Sequence, residues 1–218
     1  MQQNFFSRSS NIISIPVNML GVSAAGLIGS ARVYGTLGLE HIAGGLDHLL
    51  FVLCLMMLTQ GIMTLVKTIT AFTLAHSITL GAGALGIVSL PAAAVEASIA
   101  LSIGFLAAEI IRKIRFNQSS LTIDHPWLVA FGFGLLHGLG FASAITGMPE
   151  TDLVPAILFF NLGVELGQII FIMLVMSIFY LFRRIFVLNM KYINMTTAYC
   201  VGSLGCFWFI QRSAPIFS

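Results

Sequence analysis

Charge is what this sequence has least of. Lys, Arg, Asp and Glu make up 8% of its 218 residues, against roughly 25% in an ordinary soluble domain. A chain so poor in charge cannot clothe a globular surface in water, and a soluble domain is excluded. Also missing is any run of strict apolar–polar alternation over about ten residues, the pattern a membrane barrel requires. What is present instead is apolar bulk. Hydrophobic residues make up 58% and the mean hydropathy is +0.99. The apolar runs are about 20 residues long, which suits a hydrocarbon core of about 30 Å. Lipid offers the backbone no hydrogen-bond partner, so these runs must be helices. The expected fold is all-α, a polytopic transmembrane helix bundle of six or seven spans. Cysteine is scarce too. Cys54, Cys200 and Cys206 lie in apolar runs without C-x-x-C spacing, so neither a disulfide nor a thiolate metal site is expected. The net charge of +2 points to no nucleic-acid partner; the partner is membrane lipid.

The spans are expected at residues 38–59, 67–88, 92–111, 127–147, 155–182 and 195–211. Residues 11–31 are a weaker candidate, broken by Pro16 and rich in Ser and Gly. They are compatible with a seventh span, a signal-like segment or a helix lying on the membrane. The chain accordingly divides into an N-terminal segment, 1–35, and a transmembrane helical domain, 36–218. Loop charges orient the spans. Lys67, then Arg112, Lys113 and Arg115, then Arg183, Arg184 and Lys191 all fall on one side, whereas loop 89–91 has no charge and loop 148–154 carries Glu150 and Asp152. The positive-inside rule puts the basic loops in the cytoplasm and the C-terminus outside. Small residues recur every four positions at Ala75, Thr79 and Gly83, at Gly134, Gly138 and Ala142, and at Gly163 and Gly167. Such faces let helix backbones approach closely in lipid.

Ionisable side chains inside spans are costly and are functional candidates by default. They are His41, Asp47 and His48 in the first span, His76 in the second, Glu96 in the third, His137 in the fourth, and Glu165 with Gln168 in the fifth. On one continuous helix, His41 and His48 would share a face about 10 Å apart along the axis. Asp47 would then point about 100° away from His48, toward another helix or toward a supporting role. Asn161, Glu165 and Gln168 form a polar stripe at i, i+4 and i+7. His48, His76, His137 and Glu165 all fall about ten residues into their spans, so equal helices bring them to one depth near the midplane. His41 and Glu96 are expected nearer the outer end. Imidazole and carboxylate donors without thiolate suit nickel, cobalt, zinc or iron. The bland alternative is that each polar residue hydrogen-bonds across helices. Glu109, one turn before Arg112 and Lys113, is expected in an interfacial ion pair. Asp124 and His125 read as turn residues, and Trp127 and Trp208 as interfacial anchors. FTLAHSITL followed by VEASIAL, and FGLLHGLGF followed by GVELGQI, hint at an internal parallel repeat.

Five segments carry a family resemblance: GLEHIAGGLDHLLFVL (38–53), TAFTLAHSITL (70–80), VEASIALSI (95–103), AFGFGLLHGLGFASAI (130–145) and FNLGVELGQ (160–168). In these the chain resembles the HupE/UreJ family, hydrogenase and urease accessory membrane proteins, over residues 38–182. The resemblance implies a nickel or cobalt permease of the bacterial cytoplasmic membrane, with the motif residues His41, Asp47, His48, His76, Glu96, His137, Glu165 and Gln168 at its metal site.

Three functions are therefore expected to compete. The first is a permease for a divalent transition metal, nickel or cobalt, with the ion as substrate. No nucleotide-binding motif is present, so its energy would come from an ion gradient, the membrane potential or a partner. The second is an intramembrane zinc-dependent hydrolase, with three histidines and Asp47 as ligands, Glu96 or Glu165 as base, and Ser77 and Ser143 beside the cluster. The third is an accessory or proton-linked subunit that binds no metal. A homo-oligomer is compatible with all three.

Overall fold

The computed structural model describes residues 24–141, 150–185 and 189–216. Among these residues every regular element is helical: α1 (Ala24–Gly44), α2 (Leu46–Leu58), α3 (Ile62–Ala84), α4 (Ala92–Phe116), the single turn α5 (Leu121–Asp124), α6 (Pro126–Phe141), α7 (Glu150–Ile185) and α8 (Met190–Ser213). The long runs of Leu, Ile, Val, Phe and Ala satisfy their own backbone as helices and leave apolar side chains on the outside. Four helices are long and apolar enough to cross a membrane, or five if α1 and α2 together form one bent span. The molecule is thus a multi-pass helical membrane protein. α6, at 16 residues, is shorter. The candidate span at 11–31 lies largely outside the described residues, and α1 runs without a break across residues 35 and 36.

The continuous helix expected over 38–59 is not observed. The chain breaks at Gly45, and α1 and α2 meet at 77°. Gly44 and Gly45 supply the weakest helix propensity short of proline. The Gly45 N–H still reaches the carbonyls of His41 (3.0 Å) and Ile42 (3.3 Å), ending α1. α2 then starts afresh with Asp47 in its first turn, where a carboxylate is favoured by the helix dipole.

Three tight helix pairs surround α2, which touches α1, α3, α4, α6, α7 and α8. α1 packs on α7, α3 on α6 and α4 on α8. The anticipated small faces make two of these contacts. A Cβ on Gly163 would strike the backbone of Gly35, and one on Gly167 would press on Ile42, so α1 and α7 run parallel in close contact. A Cβ on Gly134 would strike the Phe72 carbonyl, and one on Gly138 the His76 carbonyl, which sets α3 and α6 parallel at backbone distance. Ala142 lies outside the described residues. α4 and α8 are antiparallel, with Gly104 near Cys206 and Gly202 near Ala107. Below the polar layer, Phe51, Leu55, Leu58, Phe72, Ile103 and Leu106 form the largest apolar core.

The two ends of the bundle differ in charge. At one end the Lys113 ammonium donates to the Leu58 carbonyl at 2.8 Å, closing α2, and Lys67 lies 4.5 Å from the Trp127 ring centroid. Arg183 and Arg184 line a cleft of about 780 Å³ at this same end, together with Thr59 and Gly61. Arg112 pairs with Glu109 at 3.0 Å, and the Ser120 hydroxyl also donates to Glu109. At the opposite end stand Asp47, Glu96 and Arg212. The three cysteines are free.

Candidate functional site

Four imidazoles meet where α1 breaks into α2. The His41 and His48 ring centroids are 4.7 Å apart, far closer than two turns of a straight helix would allow. His48 lies 5.0 Å from His137 of α6, and His41 lies 6.2 Å from His76 of α3. The rings thus form a chain, His76–His41–His48–His137. His41 belongs to this layer and not to an outer approach. Phe51, Phe72, Phe141 and Phe160 wall the layer with ring contacts of 4.5–6.2 Å to the histidines. Gly45 makes room for it: a Cβ there would stand 2.8 Å from His48 Nδ1 and 3.0 Å from the His41 carbonyl.

The hydrogen bonds of three rings assign their protons. His48 Nδ1 faces Asp47 Oδ1 at 3.0 Å, and the ionised carboxylate only accepts, so Nδ1 carries the hydrogen. His76 Nδ1 faces Asn161 Oδ1 at 2.9 Å, while the Asn161 amide donates to the Ile157 carbonyl at 2.8 Å. Nδ1 of His76 is therefore protonated too. His137 Nε2 faces Ser102 Oγ at 3.2 Å. The single hydroxyl hydrogen of Ser102 goes to the Ile99 carbonyl at 2.6 Å, so His137 Nε2 is the donor. In its neutral form each ring is left with a bare nitrogen: Nε2 of His48, Nε2 of His76 and Nδ1 of His137. These three, with Nε2 of His41, are buried and have no hydrogen-bond partner. An unsatisfied buried polar atom costs about 1–3 kcal/mol. Four in adjoining rings are difficult to reconcile with a purely structural role.

The carboxylates do not join the imidazoles as a group. Asp47, expected to meet another helix or to take a supporting role, does both, although it was expected on a different face from His48: one oxygen accepts from the His48 ring and from the His48 backbone N–H, the latter at 2.9 Å. Its other oxygen accepts from Arg212 at 3.1 Å. Glu165, expected at the depth of the histidines, accepts from Thr70 at 2.6 Å, about 9 Å along α3 from His76. Gln168 accepts from Thr73 at 3.3 Å. The polar stripe of α7 therefore does face α3, with Asn161 alone reaching an imidazole. The Glu96 side chain is exposed, and its backbone carbonyl accepts from Arg212 at 3.3 Å. Ser77 donates to the Thr73 carbonyl at 2.7 Å; Ser143 lies outside the described residues. No group of three or more His, Cys, Asp or Glu among the described residues is arranged to hold a metal ion. The layer offers bare imidazole nitrogens with a carboxylate behind them, suited to borderline divalent ions, but not a closed cage.

Two residues at the site escaped sequence reasoning. Ser102 is an ordinary serine in an apolar helix and carries no signal. Arg212 does: it is a cation at the end of the bundle opposite the basic loops.

The molecule is a multi-pass helical membrane protein with one bent helix pair, whose irregular backbone at depth is tolerated because it is buried in protein. That is the class the fold defines. The chain belongs to the HupE/UreJ family: the family model described as HupE / UreJ protein matches residues 21–212. Comparison with curated proteins gives no match, and comparison with solved structures gives none.

Proposed function

We propose that this protein is a permease for a divalent transition metal, nickel or cobalt, in the bacterial cytoplasmic membrane. The observation that carries this reading is the layer of four imidazoles with four buried, unpartnered ring nitrogens. Family membership supports it independently. The ion is substrate, and the loose arrangement of donors suits a cargo that must leave as readily as it binds. His41, His48, His76 and His137 would contact it, with Asp47 behind His48. Glu96 would attract cations at the outer end, and Glu165 and Gln168 would hold α7 against α3. Six crossings fit this role: the bent α1–α2 pair, α3, α4, α6, α7 and α8. The end carrying Lys67, Lys113, Arg183 and Arg184 would face the cytoplasm. No observation favours a hydrolase, since Ser77 is committed to its own helix.

The test is uptake of nickel and cobalt into proteoliposomes. His48→Ala combined with His137→Ala is expected to cut uptake at least about tenfold, because outer-shell partners alone are worth about 10–100-fold and these two would contact the ion. Uptake equal to that of the unaltered protein overturns the proposal.

A further inference from the structure

Arg212 stands at the end of the bundle opposite the basic loops. It lies near the end of α8, with its side chain 23% exposed. Its guanidinium donates to Asp47 Oδ2 at 3.1 Å and to the Glu96 carbonyl at 3.3 Å, and rests 5.3 Å from the Trp208 ring centroid. α8 and α4 are packed closely at Gly104 and Gly205, so the Arg212 backbone is anchored while its long side chain reaches across to α2. Asp47 joins this contact to the imidazole layer. One of its oxygens fixes the His48 ring, and the other is taken by Arg212.

We infer that Arg212 is a tethered competing cation: its guanidinium occupies the oxygen of Asp47 that His48 leaves free, and so weakens the pull of the Asp47–His48 pair on a divalent ion at the bare His48 Nε2. This positioning role rests on the permease reading above. A divalent ion arriving at His41 and His48 meets a carboxylate already half-neutralised. For Asp47 to contribute its full charge, Arg212 must withdraw to the Glu96 carbonyl and the Trp208 face, both already within its reach. Its return restores the ion pair and repels the bound ion. A partly exposed ion pair of this kind is weak enough to exchange, whereas a permanently unpaired Asp47 would hold the ion more tightly and release it slowly. Arg212 thus lowers affinity in favour of turnover.

The experiment measures Ni²⁺ and Co²⁺ binding by calorimetry on the purified full chain in nanodiscs, with uptake kinetics in proteoliposomes. Arg212→Gln is expected to bind at least about tenfold more tightly, to lower KM and to lower kcat, because the surviving carboxylate is no longer shared. Arg212→Lys, which keeps the charge, is expected to stay within about threefold of the unaltered protein. In an Asp47→Asn background, Arg212→Gln should change affinity no further. A purely structural clamp predicts the reverse for Arg212→Gln, a lower melting temperature with equal or weaker binding. Equal or weaker binding in folded Arg212→Gln, a gain that persists with Asn at position 47, or Arg212→Lys matching Arg212→Gln overturns the inference. If the unaltered protein binds neither ion, the permease reading itself fails and takes this inference with it.

Discussion

At the scale of single residues, the site depends on side chains that hold rings. Asn161 decides which nitrogen of His76 is bare: it accepts from Nδ1 and spends its own amide on Ile157. Asn161→Leu removes that acceptor while roughly keeping the volume. It is expected to cost about 1–3 kcal/mol, because the Nδ1–H of a fully buried ring is left without a partner. It should also reduce uptake, because the ring is free to turn over. Thermal unfolding in detergent and proteoliposome uptake measure the two effects. Unchanged stability would mean that the His76–Asn161 bond does not hold the ring. The titratable residues of this layer were visible in the sequence because ionisable groups are conspicuous in apolar helices. Ser102 was not, because a serine in a membrane helix ordinarily bonds its own backbone. Its second bond, to His137, exists only because α4 and α6 meet.

At the scale of elements, close approach and breakage shape the site. α3 and α6 touch through Gly138, where an added Cβ would run into the His76 carbonyl and Thr79. Gly132 of the same helix has nothing within 4 Å of such a Cβ. Gly138→Ala should therefore destabilise by about 1–3 kcal/mol through overpacking, and Gly132→Ala should stabilise by up to about 1 kcal/mol through helix propensity. Unfolding of the two variants side by side checks the contrast, and equal effects would contradict the α3–α6 contact. The small-residue faces were legible because their four-residue spacing survives in any straight helix. The break at Gly45 was not. A Gly-Gly pair lowers the cost of interruption without dictating one. Continuing the helix would carry His41 and His48 well apart; the bend instead sets α2 among six neighbours.

At the scale of the whole molecule, the outside is made for lipid. Val154, Leu158, Leu162, Leu166, Ile170 and Leu174 form one exposed stripe along α7, apolar at every position, which water would not sustain. The basic residues gather at one end through contacts that join separate loops: Lys113 to the end of α2, Lys67 to Trp127, and Arg183 with Arg184 beside Thr59 and Gly61. In protein lacking the native cysteines, Ile216→Cys is expected to react with a membrane-impermeant maleimide from outside intact cells. Ser119→Cys should react only after permeabilisation. The opposite labelling pattern would reverse the proposed orientation.

Composition alone determined that this chain lives in lipid and is built from helices, because a backbone without water has few ways to satisfy itself. The same scarcity of charge singled out the residues of the polar layer. Tertiary structure decided what those residues do to one another. It bent α1 into α2, brought His41 against His48, turned Asp47 toward both His48 and Arg212, and gave Glu165 to Thr70. These pairings join positions from 1 to 165 residues apart. Spacing along a sequence cannot specify them, since all but the Asp47–His48 bond within α2 join separate helices.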